Sequence, residues 1–92
     1  MIVINVYYDC KPGKRREFYE SILPKAEYFR QEAGNIQYAY FDAIEDDNRL
    51  LLVEKWADEE SLKSHASTDI FKSLGELKEK YVDNVVLEKF DS

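Results

Sequence analysis

The feature that most constrains this chain is the way its hydrophobic spacing switches between a period of two and a period of three to four along 92 residues. Ile2 to Asp9 is β-branched and aromatic with no breaker, and predicts a strand. Its faces are Ile2, Ile4, Val6, Tyr8 and Val3, Asn5, Tyr7, Asp9, of which the first is apolar throughout and belongs on a core. After the turn Lys11-Pro12-Gly13-Lys14, the stripe Phe18, Ile22, Ala26, Phe29, Ala33 predicts an amphipathic helix, with Pro24 expected to bend or restart it and Gly34 to end it. Ile36 to Ala43 and Leu50 to Trp56 alternate again around the turn residues Glu45-Asp46-Asp47-Asn48, which predicts a hairpin.

Asp58 is placed as a helix N-cap with Glu59 and Glu60 in the first turn, and Leu62, His65 and Ala66 are read as one helical face. Ser67-Thr68-Asp69 offers a second cap, followed by the stripe Ile70, Leu74, Leu77, Tyr81. Val82 to Phe90 closes the chain as a fourth strand. This order predicts an α+β fold of the ferredoxin-like split βαβ type: one domain over residues 1–92, a four-stranded antiparallel sheet and helices on one face.

Such a sheet leaves its other face bare. The expectation is that this face holds Val3, Tyr7, several of Ile36, Tyr38 and Tyr40, and Leu50, Leu52 and Trp56, covered by a second subunit in a twofold dimer. Composition supports a covered surface, since 45% of residues are hydrophobic and 14% aromatic in a chain too small for a large core. A net charge of −6 and a pI near 4.8 argue against a nucleic-acid or anionic-membrane binder. No apolar run approaches the ~20 residues that span a bilayer, no secretory signal is visible, and the single cysteine, Cys10, suits a reducing compartment. A cytoplasmic protein is expected.

Few residues can carry chemistry. Asn5 is either a strand polar group bonded to a neighbour or a donor to a substrate oxyanion. Trp56 is either an interface or core aromatic or a flat wall for a ring-shaped ligand. Glu54 is a partnered charge or a general base, and His65, the only histidine, is a packed residue or a proton acceptor or iron ligand. Lys11, Lys14, Arg15 and Arg16 form a cationic cluster that is either a solvated face or an anion contact, and their position at a helix start opposes the dipole. Glu45-Asp46-Asp47 lacks metal-loop spacing. Zinc, nucleotide and serine-hydrolase motifs are missing, so no metal site is expected.

Three blocks carry a resemblance: Lys11-Pro12-Gly13-Lys14 leading to Phe18; Glu32-Ala33-Gly34-Asn35-Ile36-Gln37-Tyr38; and Glu54 to Leu62 (EKWADEESL) with His65 and Phe71. Together they resemble the antibiotic biosynthesis monooxygenase (ABM) domain, quinol-monooxygenase-like, of the dimeric α+β barrel superfamily. Ala33 departs from the pattern, standing where Pro before Gly is usual. The resemblance implies a homodimer with a pocket between sheet and helices, oxidising a small quinol, anthrone or phenolic compound with O2 and needing no flavin, metal or haem. The substrate's own anion supplies the electron, so the protein deprotonates it and stabilises the charge. Similar haem-degrading proteins use an Asn, a Trp and a His that match Asn5, Trp56 and His65 in type, which makes haem the alternative cofactor. The same resemblance leaves room for isomerisation of a phosphorylated small molecule, and for ligand binding without oxygenase activity. The site residues implied are His65, Asn5 and Trp56 as catalytic, with Tyr7, Phe71 and Glu54 contacting substrate.

Overall fold

A computed structural model describes all 92 residues. The elements are β1 (Ile2–Cys10), α1 (Arg15–Phe29), β2 (Asn35–Asp42), β3 (Arg49–Trp56), α2 (Glu59–Ala66), α3 (Asp69–Tyr81) and β4 (Val82–Asp91). The strands form one antiparallel sheet in the order β2-β3-β1-β4. This is the ferredoxin-like α+β architecture that the spacing predicts. No helix is long and apolar enough to cross a membrane.

β1 alternates as expected, with Ile2, Ile4, Val6, Tyr8 and Cys10 buried and the residues between them half-buried. α1 buries Phe18, Ile22, Ala26 and Phe29 but ends there, so Ala33, the last residue of the stripe, lies in the turn beyond the helix. Pro24 lies inside α1, which runs through it as one element rather than restarting. The carbonyl left without its donor is that of Glu20, on the exposed side, where water can serve it. Asp58 caps α2 by accepting from the Ser61 amide at 2.8 Å, and Thr68 caps α3 by accepting from the Phe71 amide at 3.2 Å. Within α2, His65 is buried and Leu62 half-buried, whereas Ala66 is exposed.

The register corrects one expectation about the sheet. Ile2 pairs with Trp56, Ile4 with Glu54, Val6 with Leu52 and Tyr8 with Leu50. Directly paired residues point to the same face, so Leu50, Leu52, Glu54 and Trp56 join β1's core set under the helices rather than the bare face. Tyr38, paired with Glu54, joins them and is buried. The helix-free face instead presents Val3, Tyr7, Leu51, Val53, Ala39, Phe41, Val86 and Phe90 around Asn5, Lys55 and Glu88.

The cationic cluster proves structural. Arg15 Nη1 donates to the Asp46 carbonyl at 2.8 Å and to those of Ala43 and Arg49 at 3.4 and 3.3 Å, and its Nε lies 3.3 Å from Asp42. It thereby pins α1 onto the β2–β3 turn. Arg16 pairs with Glu20, Lys14 with Glu17, and Lys11 donates to the Glu79 carbonyl.

Candidate active site

Alternation on β3 sends Glu54 and Trp56 to the same side, one strand rung apart. Two turns of α2 then return the chain over them, because Asp58 fixes where the helix starts and His65 falls on its inward face. The imidazole is 2% exposed and the indole fully buried. Trp56 Nε1–H donates to Glu54 Oε1 at 3.0 Å, and the same oxygen lies 3.8 Å from His65 Nε2. On the other side of the ring, Nδ1 lies 2.7 Å from Glu32 Oε1. A carboxylate only accepts, so Glu32 selects the tautomer with the proton on Nδ1 and leaves the Nε2 lone pair turned toward Glu54. Four side chains thus form one line: Glu32, His65, Glu54, Trp56.

Aromatic rings enclose the line. Trp56 and Phe29 have ring centroids 4.5 Å from that of His65, Phe71 5.1 Å and Tyr38 5.9 Å. Thr68 locks the arrangement from the backbone, its hydroxyl donating to the His65 carbonyl at 3.0 Å while it caps Phe71. Burial pushes the Glu54 carboxyl above its ordinary value, against the opposing pull of the Trp56 hydrogen bond, His65 and Lys78. The Lys78 ammonium is held below its ordinary value by desolvation, with its Nζ 6.0 Å from the Tyr8 ring centroid. Burial raises the phenols of Tyr8, Tyr38 and Tyr40, with the Glu54 charge adding to each, and so keeps all three neutral.

The sequence-derived site residues divide between the two faces of the sheet. His65, Trp56, Glu54 and Phe71 converge on the helix side. Asn5 and Tyr7 lie on the helix-free face, where Asn5 Nδ2 is 3.5 Å from Glu88 Oε1 and the Tyr7 phenol is raised chiefly by its hydrogen bond with Glu88. Arg49 stacks over the Tyr7 ring, 4.6 Å from its centroid. The sheet therefore separates Asn5 from Trp56 and His65, and Asn5 is not an oxyanion donor in this array. Sequence reasoning gives Glu32 no role beyond its place in a family block. One signal points to it: an acidic residue just beyond the C-terminus of a helix opposes the dipole and is not placed for helix stability. Lys78 gives no signal, since a lysine on a helix is ordinarily solvated.

A cleft of about 470 Å³ reaches the line from the Glu32 side, bordered by Tyr28, Asp58, Glu60, Ser61, Ser64 and Thr68 as well as Glu32 and His65. Beside it, Gly34 has a φ of +82° and packs so close to Ser61, which lines the cleft, that no side chain fits there. No group of three or more His, Cys, Asp or Glu residues is arranged to hold a metal ion. Cys10 is buried and desolvation pushes its thiol up to about 11, so it is unreactive.

The profile of the antibiotic biosynthesis monooxygenase family matches residues 1–76. The Bacillus subtilis (strain 168) protein described as "Putative monooxygenase YcnE" is 38% identical over 71 residues, which cover 77% of this chain and 75% of that one. Among solved structures, a conserved protein from Methanosarcina mazei Go1 superposes with a TM-score of 0.91 at 27% identity, covering 99% of this chain and 91% of that one. PA3566 from Pseudomonas aeruginosa superposes at 0.89 and 21% identity, over 99% and 92% of the two chains, a likeness of fold. The matched profile spans the sheet core, His65 and Phe71 alike, and this chain belongs to the antibiotic biosynthesis monooxygenase family.

Proposed function

We propose that the protein is a monooxygenase that oxidises a small quinol, anthrone or related phenolic compound with O2, using no flavin, metal or haem. The observation that carries this reading is the buried line Glu32–His65–Glu54–Trp56. Oxidation of a phenol by O2 is limited by how readily the ring gives up an electron, and a phenolate gives one up far more readily than a phenol. The protein's task is therefore to take the phenolic proton in a water-poor site. Glu54, with its affinity for protons raised by burial, accepts it, and His65 Nε2 stands ready to receive it next. The 3.8 Å separation closes to hydrogen-bonding distance when substrate binds, or is bridged by one water. Lys78, the cation whose charge acts on Glu54, stabilises the developing phenolate.

The array does not fit haem. An axial ligand must present a free ring nitrogen to a cavity, whereas His65 is enclosed by four rings with a carboxylate at each nitrogen. The helix-free sheet face supports a homodimer, with Leu51, Val53, Tyr7 and Phe90 rather than Trp56 meeting a second copy. The test is O2 uptake with a panel of hydroquinones and anthrones: uptake by the wild-type protein and background rates in His65→Ala are expected. Equal rates in the two proteins would overturn the proposal.

A further inference from the structure

We infer that Lys55 and Glu88 on the helix-free face pair with Glu88 and Lys55 of a second copy, and that this reciprocal pairing sets how the two subunits align. The inference rests on the homodimer proposed above and names what selects its geometry. Four charged side chains lie on that face: Arg49 and Lys55 from β3, Asp9 from β1 and Glu88 from β4. Two of them are settled within the subunit. Arg49 Nε lies 3.2 Å from Asp9 Oδ1, and Asn84 Nδ2 donates to the other Asp9 oxygen at 3.2 Å.

Lys55 and Glu88 are not settled in this way. Neither has an opposite charge within ion-pair distance in its own subunit. Lys55 sits between Gln37 and Val3, and Glu88 is met only by neutral donors, the Asn5 amide at 3.5 Å and the Tyr7 phenol. β1 stands between the two charges, so two strand spacings of about 4.8 Å and one step along the strand keep them apart. Around them the face is apolar, with Phe41, Val86 and Phe90 each about half exposed, and a surface of this kind is covered by another. A charge covered without a counter-charge is strongly unfavourable.

A second copy removes that penalty with no further residue. In a twofold contact, one residue touching another requires the reverse contact as well, so a single cation and a single carboxylate answer each other twice. A different partner would need both charges of its own at matching spacing. Sheets packed face to face lie about 10 Å apart, a gap that a lysine and a glutamate reaching from opposite sides close. An arrangement slipped along the strands would set each charge against apolar side chains, so the pair also selects against misaligned dimers.

The test is charge reversal, read as the dimer dissociation constant by sedimentation equilibrium and as subunit exchange by native mass spectrometry. Lys55→Glu and Glu88→Lys are each expected to weaken the dimer at least about tenfold, and the double variant to return within about threefold of wild type. Mixing the two single variants should yield mostly heterodimer, because both contacts are then between opposite charges. A double variant no tighter than the singles, or exchange that stops at the random share of one half, would overturn the inference. A pair formed inside one subunit would give that random share. Should a reversed variant fail to fold, Lys55→Gln, Glu88→Gln and their double form a cycle: a double that loses no more than either single supports the pairing, and strictly additive losses overturn it. A wild-type protein that stays monomeric would remove the proposed homodimer itself, whereas a dimer indifferent to these charges overturns this inference alone.

Discussion

Of the three glycines, Gly34 is the one where an added methyl group would collide with a neighbour. A Cβ at this position would overlap Ser61 Oγ and lie 2.5 Å from Ser61 Cβ, with φ held at +82°. A left-handed conformation costs an alanine about 1–2 kcal/mol, and forcing an extra carbon into a packed contact costs about 1–3 kcal/mol. The smaller entropy of an unfolded alanine offsets roughly 0.4–1 kcal/mol of that. Gly34→Ala should therefore lose about 2.5 kcal/mol, which for a domain of this size lowers Tm by about 10–20 °C. Thermal and urea denaturation of Gly34→Ala, Ser61→Gly and the double variant give the full cycle. Ser61→Gly alone costs up to about 1 kcal/mol in helix propensity, and in the double variant it should recover about 1–3 kcal/mol of the clash. The damage should also reach the imidazole, because the Gly34 carbonyl accepts from the Ala57 amide at 2.8 Å and Glu32 precedes it by two residues. A Gly34→Ala loss below about 1 kcal/mol, or strict additivity with Ser61→Gly, would refute the reasoning.

Thr68→Ala removes both the α3 cap and the hydroxyl bond to the His65 carbonyl, and should cost about 1–2 kcal/mol by urea denaturation. Glu54 titrates higher folded than unfolded, so the native state holds the extra proton, and stability falls as pH rises from its unfolded value near 4.5 through the folded one. Thermal melts across that window should show wild type losing stability relative to Glu54→Gln as pH rises; a constant difference would place the carboxylate in water. Val53→Lys, on the helix-free face, should convert the proposed dimer to a monomer by light scattering with the fold intact, whereas Trp56→Ala should lower stability without that specific effect.

Local chemistry makes the element order legible in the sequence. Asp58 and Thr68 cap where their side chains say they do, and β1 buries the face that is apolar throughout. What alternation does not settle is which face of β3 meets the helices. Leu50 and Leu52 on one side and Leu51 and Val53 on the other are equally apolar, so only pairing with β1 decides, and Ile2 opposite Trp56 decides against the bare face. That pairing brings Trp56 and Glu54 to His65 and leaves Asn5 and Tyr7 behind the sheet. Glu32 lies 33 residues from His65, and long-range contact of that kind leaves no periodic trace. Its misfit with the helix dipole is the one local sign.

The central claim is that this buried line takes a proton from a phenolic substrate. The measurement that tests it most directly is the absorption spectrum of an anthrone or hydroquinone bound without O2, over a range of pH below the free compound's own ionisation. Phenolate absorption appearing on binding to wild type, and missing with His65→Ala and Glu54→Gln proteins that still bind, is the predicted result. A substrate that binds wild type as the neutral phenol, or ionises equally on all three proteins, would contradict it.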